Sequence, residues 1–187
     1  MDRKAALALW HEHNNDESLL RHALSVEAAM RYFALKEGED PEYWGLVGLL
    51  HDIDYQSHPE EHLKHAGRML EAGGYDEAFI RSVLSHGWGL CSDIIPELPM
   101  EKVLYAVDEL TGFIAACAYV RPSRSVLDME LKSVKKKWKT VAFAAGVNRE
   151  VIEKGAAMMG VELDELITET IQALRASAEA VGLKGTL

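Results

Sequence analysis

Cysteine is scarce: Cys91 and Cys117 are the only two. That number and spacing give neither a disulfide framework nor a zinc ribbon, so a reducing cytoplasm is the expected setting. Long apolar runs are missing as well, and none approaches the ~20 residues of a membrane helix. Positive charge is in deficit: 20 Lys and Arg against 30 Asp and Glu leave a net charge of -10. Such a balance disfavours general nucleic-acid binding. The Walker phosphate loop, Gly-x-Gly-x-x-Gly and the Gly-x-Ser-x-Gly nucleophile elbow are all absent. The start, Met1-Asp2-Arg3-Lys4, runs into Ala5 to Trp10 without a cleavage-site pattern, and His11-Glu12-His13 interrupts it. No secretion signal is expected there.

What the sequence has is helical periodicity. Hydrophobic residues make up 48% of 187, enough for one ample core in one domain spanning 1–187. Asp16 can cap a helix that carries Leu19, Ala23, Val26 and Met30 on one side. Asp40-Pro41-Glu42 is an N-cap, a first-turn proline and an acid, and starts a helix that ends near His51-Asp52. His58-Pro59-Glu60-Glu61 starts another, which Gly73-Gly74 ends, and a further helix covers about Asp76 to His86. After a loop marked by Gly87, Gly89, Pro96 and Pro99, an apolar helix runs from Met100 to Tyr119. Arg121-Pro122-Ser123 breaks it, and helices follow over Val126 to Trp138, Arg149 to Met159 and Asp164 to Val181. No segment alternates at period two, so the expected fold is all-α, a single helical bundle.

Ionisable residues lie on the apolar sides of these helices. His22 shares a face with Leu19, Val26 and Ala29; His51 with Val47; His86 with Phe79 and Val83; Asp108 with Leu104 and Thr111. Each alone reads as a hydrogen-bonded core residue or half of an ion pair. Together with Asp52 and His62 they are better explained by one or two divalent cations, because buried ionisable groups are costly unless paired or metal-bound. Mixed imidazole and carboxylate ligands suit Mn, Fe, Co, Ni or Zn better than Ca.

The order His22, His51-Asp52, Asp108 resembles that of the HD-domain superfamily of metal-dependent phosphohydrolases. The string Leu49-Leu50-His51-Asp52-Ile53-Asp54 is similar to its signature, which commonly reads His-Asp-Ile-Gly; Asp54 stands at the glycine. Asp108-Glu109-Leu110-Thr111-Gly112, Arg121-Pro122-Ser123 and Ser133-Val134-Lys135-Lys136-Lys137 resemble a bacterial subgroup of the same superfamily. The resemblance implies an HD-type metal-binding core over 19–119, with 120–187 as a helical extension packed on it. Members with two metals add two histidines between the His-Asp pair and the last Asp, and Asp52 then bridges the ions. His62 and His86 are the expected pair, with His58 and His65 competing for the first place. On the helix that starts at His58-Pro59, His62 lies about 90° from the centre of the core stripe and His65 about 150° from it, which favours His62. Asp54 either hydrogen-bonds a ligand histidine or caps the chain after its helix.

A divalent ion acidifies a bound water, so the expected activity is hydrolysis of a phosphomonoester or phosphodiester of a small metabolite or nucleotide. Asp52 and His51 are the expected catalytic residues, with Asp52 also orienting the water. The phosphate needs donors, and Lys64, Arg68, Arg121 and Arg124 are the candidates because they sit on or just after ligand-bearing helices. Lys135-Lys136-Lys137 reads as a solvated helix face. The resemblance also implies two alternatives: a di-iron oxygenase of the inositol oxygenase type, with ligands in the same order, and a nucleotide-binding regulatory domain without turnover.

Overall fold

Asp16 accepts hydrogen bonds from the backbone N–H of Ser18 and Leu19, and the helix it caps is the longest stretch of the N-terminal half. The computed structural model describes residues 2–187. In chain order the α-helices are α1 (Arg3–His13), α2 (Glu17–Glu37), α3 (Pro41–Leu50), α4 (Ala66–Ala72), α5 (Glu77–Leu84), α6 (Pro99–Tyr119), α7 (Leu131–Trp138), α8 (Arg149–Met159) and α9 (Leu163–Ala176). There is no sheet among the described residues; a lone bridge joins Trp88 and Ser92. The fold is all-α, as the periodicity implies. No helix among the described residues is long and apolar enough to cross a membrane.

α6 is the axis of the core. Leu104, Val107, Leu110, Phe113 and Ile114 on it are fully buried, each contributing about 1.5–3 kcal/mol over an exposed position. α2 and α3 pack side by side, and Gly48 is what lets them meet. A Cβ at Gly48 would stand 2.8 Å from Met30 Cγ and 3.0 Å from the Val26 carbonyl oxygen. That close approach sets the end of α3 beside the middle of α2. α8 lies across α6 where Gly155 meets Ala106. α9 reaches α2 through Glu169, which accepts from Tyr32 Oη at 2.6 Å and pairs with Lys36 Nζ at 2.9 Å.

Buried carboxylates fasten the remaining elements. Glu27 pairs with Arg3 of α1 at 2.6 Å and with Arg31 of its own helix at 2.9 Å. Glu101, fully buried in the first turn of α6, pairs with Arg81 of α5 and accepts from the N–H groups of Glu97 (2.8 Å) and Leu98 (3.0 Å). This contact fixes α5 against α6.

The structure departs from the sequence reading in four stretches. α1, capped by Asp2, was not anticipated. The helix expected from His58 to Gly73 is broken: a 3₁₀ turn over Pro59–Glu61 is followed by irregular chain, and α4 starts only at Ala66. Leu63 has φ +67° there, and Asp54 captures the N–H groups of His65 and Ala66, so the backbone bonds to a side chain rather than to itself. Residues 126–130 precede α7 instead of belonging to it, because Val126 N–H donates to the Leu183 carbonyl and Arg175 takes the Val126 and Met129 carbonyls. α9 stops at Ala176, where tighter turn bonds to Leu174 and Arg175 replace the helical pattern.

Candidate metal centre

His22 projects from the middle of α2, His51 from the end of α3 and Asp108 from α6. Asp52 and Asp54 lie in the turns after α3. His62 closes the Pro59–Glu61 turn, and His86 sits in a 3₁₀ turn that continues α5. These segments bring six side chains to one place in two groups. In one, His22 Nε2 lies 3.1 Å from His51 Nε2 and 2.9 Å from Asp108 Oδ1, and His51 Nε2 lies 3.3 Å from Asp108 Oδ1. In the other, His62 Nε2 lies 3.2 Å from His86 Nε2. Asp52 stands between them. Its Oδ2 is 3.3 Å from His51 Nε2, while its Oδ1 is 3.2 Å from His62 Nε2 and 3.5 Å from His86 Nε2.

The rings are held from behind. His51 Nδ1–H donates to the Gly48 carbonyl at 2.8 Å and His86 Nδ1–H to the Val83 carbonyl at 2.7 Å. A carbonyl can only accept, so these contacts assign the proton to Nδ1 and leave a lone pair on Nε2 of the neutral ring. His62 Nδ1 is held the same way by Asp54 Oδ1 at 2.9 Å. The inward-facing Nε2 atoms of these three rings are therefore acceptors, like the oxygens of Asp52 and Asp108. Acceptors packed this closely require cations among them.

Without a metal, protons supply that charge. Burial works against a charged His51, but Asp52 and Asp108 overcome it and raise its pKa well above the usual imidazole value. Burial likewise opposes charge on His62, yet Asp52 and Asp54 lift it to about 9. Burial opposes charge on Asp52 and Asp108 too, but His51, with His62 and His86 beside Asp52 and His22 beside Asp108, holds both well below the ordinary carboxylate range. The donor set fits divalent transition metals, and within it two groups of atoms are close enough to chelate, His22, His51 and Asp108, and His51, Asp52 and His86; His58, Glu61 and His65 form a third such group outside it.

Asp54 carries out both tasks open to it in the sequence. It is fully buried, orients His62, and accepts from the His65 and Ala66 N–H groups at 3.2 and 3.0 Å, where α4 begins. The structure brings His62, and not His58 or His65, to Asp52. The helical-wheel argument for His62 does not hold, since no helix contains it; the turn and Asp54 place it. His58 and His65 stack on each other at 3.8 Å, with His65 paired to Glu61.

The cations expected to clamp phosphate scatter. The kink at Leu63 turns Lys64 away, and it lies exposed, 3.7 Å from Glu61. Lys64 and Arg68 line a separate surface cavity shared with Glu71, Asp76 and Glu77. Arg121 is engaged by Asp128 at 2.8 Å and by Ser133. Arg124 lines a cavity that His22 also borders.

A cavity of about 300 Å³ opens over His22, Asp52, His62, His86 and Asp108, with His51 fully buried behind them, and Leu19, Leu90, Val147 and Val151 form much of its wall. The lining also includes an acid and a thiol outside the sequence-predicted site. Glu109 borders the cavity, and its Oε2 accepts from Asn148 N–H at 3.1 Å. Burial, and then the charge of Asp108, push its carboxyl up to about 7. An acid beside Asp108 inside an apolar helix was the available signal. Cys91 also borders the cavity, and burial followed by the charge of Asp52 pushes its thiol up, which disfavours a thiolate nucleophile.

Among protein families, the HD domain matches residues 19–113. No curated protein and no solved structure matches the chain. The matched span begins three residues before His22 and ends five after Asp108, so it encloses all six converging side chains.

Proposed function

The chain belongs to the HD domain family, and from that premise we propose that it is a metal-dependent phosphohydrolase acting on a phosphomonoester or phosphodiester of a small metabolite or nucleotide. HD domains bind divalent metals and are mostly metal-dependent hydrolases. The observation that carries the reading is the division of Asp52, one oxygen facing each group of ligands. His22, His51, Asp108 and Asp52 Oδ2 would hold one ion; His62, His86 and Asp52 Oδ1 would hold another. Mn, Fe, Co, Ni and Zn suit this donor set. Such an ion supplies Lewis acidity and brings the pKa of a water it binds to near neutrality.

The chain's own residues prepare the site. The Gly48 and Val83 carbonyls and the Asp54 carboxylate lock the three rings, so little reorganisation is needed when substrate arrives. Asp52, at the floor of the cavity, accepts a hydrogen bond from the attacking water and orients it.

Metal analysis of the purified protein, followed by a panel of phosphomonoesters and phosphodiesters, tests this reading. Asp52→Ala should abolish turnover, and turnover retained after the metal is stripped contradicts the mechanism. One observation favours a second reading, a di-iron oxygenase: among the described residues no lysine or arginine lines the metal cavity. Oxygen uptake by the ferrous protein, with none of the phosphate esters hydrolysed, would select it.

A further inference from the structure

A second cavity, of about 430 Å³, adjoins the first and shares His22 and Gly112 with it. It runs between α2 and α6. Ser18, Arg21, His22 and Ser25 recur at helical spacing along one wall, and Gly112, Ala115 and Tyr119 along the other. From Asp108 to Tyr119 the α6 face extends about 16 Å. The metal cavity has no cationic side chain in its lining, and this one has two, Arg21 and Arg124.

Three observations set Arg124 apart from an ordinary surface arginine. Among the described residues it makes no ion pair, whereas Arg21 has an exposed pair with Glu17 at 3.1 Å. Its backbone is left-handed, φ +51°, which is uncommon outside glycine and asparagine. And the C-terminal segment holds it there. Thr186 N–H donates to the Ser123 carbonyl at 3.0 Å, Val126 N–H donates to the Leu183 carbonyl at 2.9 Å, and Gly185 packs directly on the Ser123–Arg124 backbone. Strained residues held in place by their surroundings cluster at active sites, ligand clamps and switch regions.

Gly112 is the second independent sign. Glycine inside a helix costs about 1 kcal/mol relative to alanine. Gly45, Gly48 and Gly155 repay this by close packing, since a Cβ at each would stand under 3.0 Å from a neighbour. At Gly112 a Cβ would meet nothing within 4 Å. The space is left open where the two cavities join, and no protein group fills it.

We propose that the substrate of this site carries a second anionic group, which lies in the groove between α2 and α6 and is bound by Arg124 with Arg21, the linking part of the molecule passing over Gly112. This rests on the phosphohydrolase reading above and narrows its substrates to phosphate esters with a phosphate or carboxylate at the far end. It also answers how a chain of net charge -10 attracts such a molecule: the metals take the reacting phosphoryl group and the arginines take the other charge.

The test is calorimetric binding to manganese-loaded protein. The probes are alkane-α,ω-bisphosphonates of graded chain length, alkyl monophosphonates of matching length, and ω-carboxyalkyl phosphonates. At a preferred length the wild type should bind a doubly anionic probe about tenfold more tightly than the monophosphonate, as expected for one charge-assisted arginine contact. The carboxylate and bisphosphonate arms tell which anion the groove prefers. Arg124→Gly, which tolerates the left-handed backbone, should remove the advantage. Gly112→Leu, whose side chain enters open space and favours the helix, should remove it by filling the passage. Far-UV circular dichroism and metal content verify both variants. No advantage at any length, or one that survives both variants, overturns the inference while leaving the metal site intact. Failure of the monophosphonates themselves to bind overturns the phosphohydrolase reading and this inference together.

Discussion

Asp54 Oδ1 accepts the Nδ1–H of His62 at 2.9 Å, and this contact decides which nitrogen of that ring faces Asp52. The other oxygen of Asp54 binds the two N–H groups where α4 begins. One buried carboxylate thus sets a ligand's tautomer and shapes the turn that presents it. Asp54→Ala should lower affinity for the second metal by about 10- to 100-fold. It should also destabilise the fold, by about 1–3 kcal/mol for each buried donor left unpaired. Stoichiometry by metal titration and a denaturant midpoint measure the two effects. Undiminished binding of two ions by the variant would show that His62 needs no such support.

Gly48→Ala should cost about 1–3 kcal/mol through overpacking, because the new Cβ meets Met30 Cγ at 2.8 Å and the Val26 carbonyl oxygen at 3.0 Å. It should also weaken the first metal, since the α2–α3 contact sets His51 against His22. A variant as stable as the wild type would place the close approach elsewhere.

Over the range where the metal-free protein loses stability with rising pH, the metal-loaded protein should change little. In the metal-free protein His62 is raised to about 9, against an unfolded value near 6.5, chiefly because carboxylates outweigh burial. A raised pKa contributes stability that is complete below about 6.5 and is lost as pH rises through about 9. Metal-free protein should therefore lose thermal stability from about pH 6.5 to 9. Asp52, held below its usual range, adds stability that is lost only as the solution becomes strongly acidic. Metal binds the neutral rings, so loading near pH 7 should release protons, and the stabilisation by metal should grow across the same interval. Melting temperatures at several pH values, with and without manganese, check this. Parallel curves would contradict it.

Arg68→Ala should leave KM for any phosphate ester as in the wild type, because Arg68 faces a different cavity among carboxylates. Arg121→Ala should act through stability instead, by releasing Asp128 and Ser133 in the turn before α7. A raised KM in the Arg68 variant would mean that the chain rearranges around its substrate.

The parts of this architecture that were legible in the sequence share a cause. Asp16, Asp40, Asp76 and Asn148 cap their helices through local bonds, and local bonds leave a local pattern. His22 and Asp108 were visible as polar residues interrupting apolar faces of regular helices. The segment from His58 to Ala66 was not, because its shape depends on Asp54, which reaches it across the preceding turn. A helical wheel through His62 therefore describes no helix of this protein, and Lys64 and Arg68 do not share a helix with it. The course of residues 126–130 depends on Leu183 and Arg175, far along the chain, and no short-range signal reports them.

The central claim is that Asp52 joins two metal positions. Anomalous diffraction from manganese-loaded crystals, recorded at the manganese edge, tests it most directly. The account predicts two peaks, one among His22, His51 and Asp108 and one beside His62 and His86, with an oxygen of Asp52 bound to each. A single peak that leaves His62 and His86 unligated, or peaks away from Asp52, would contradict it.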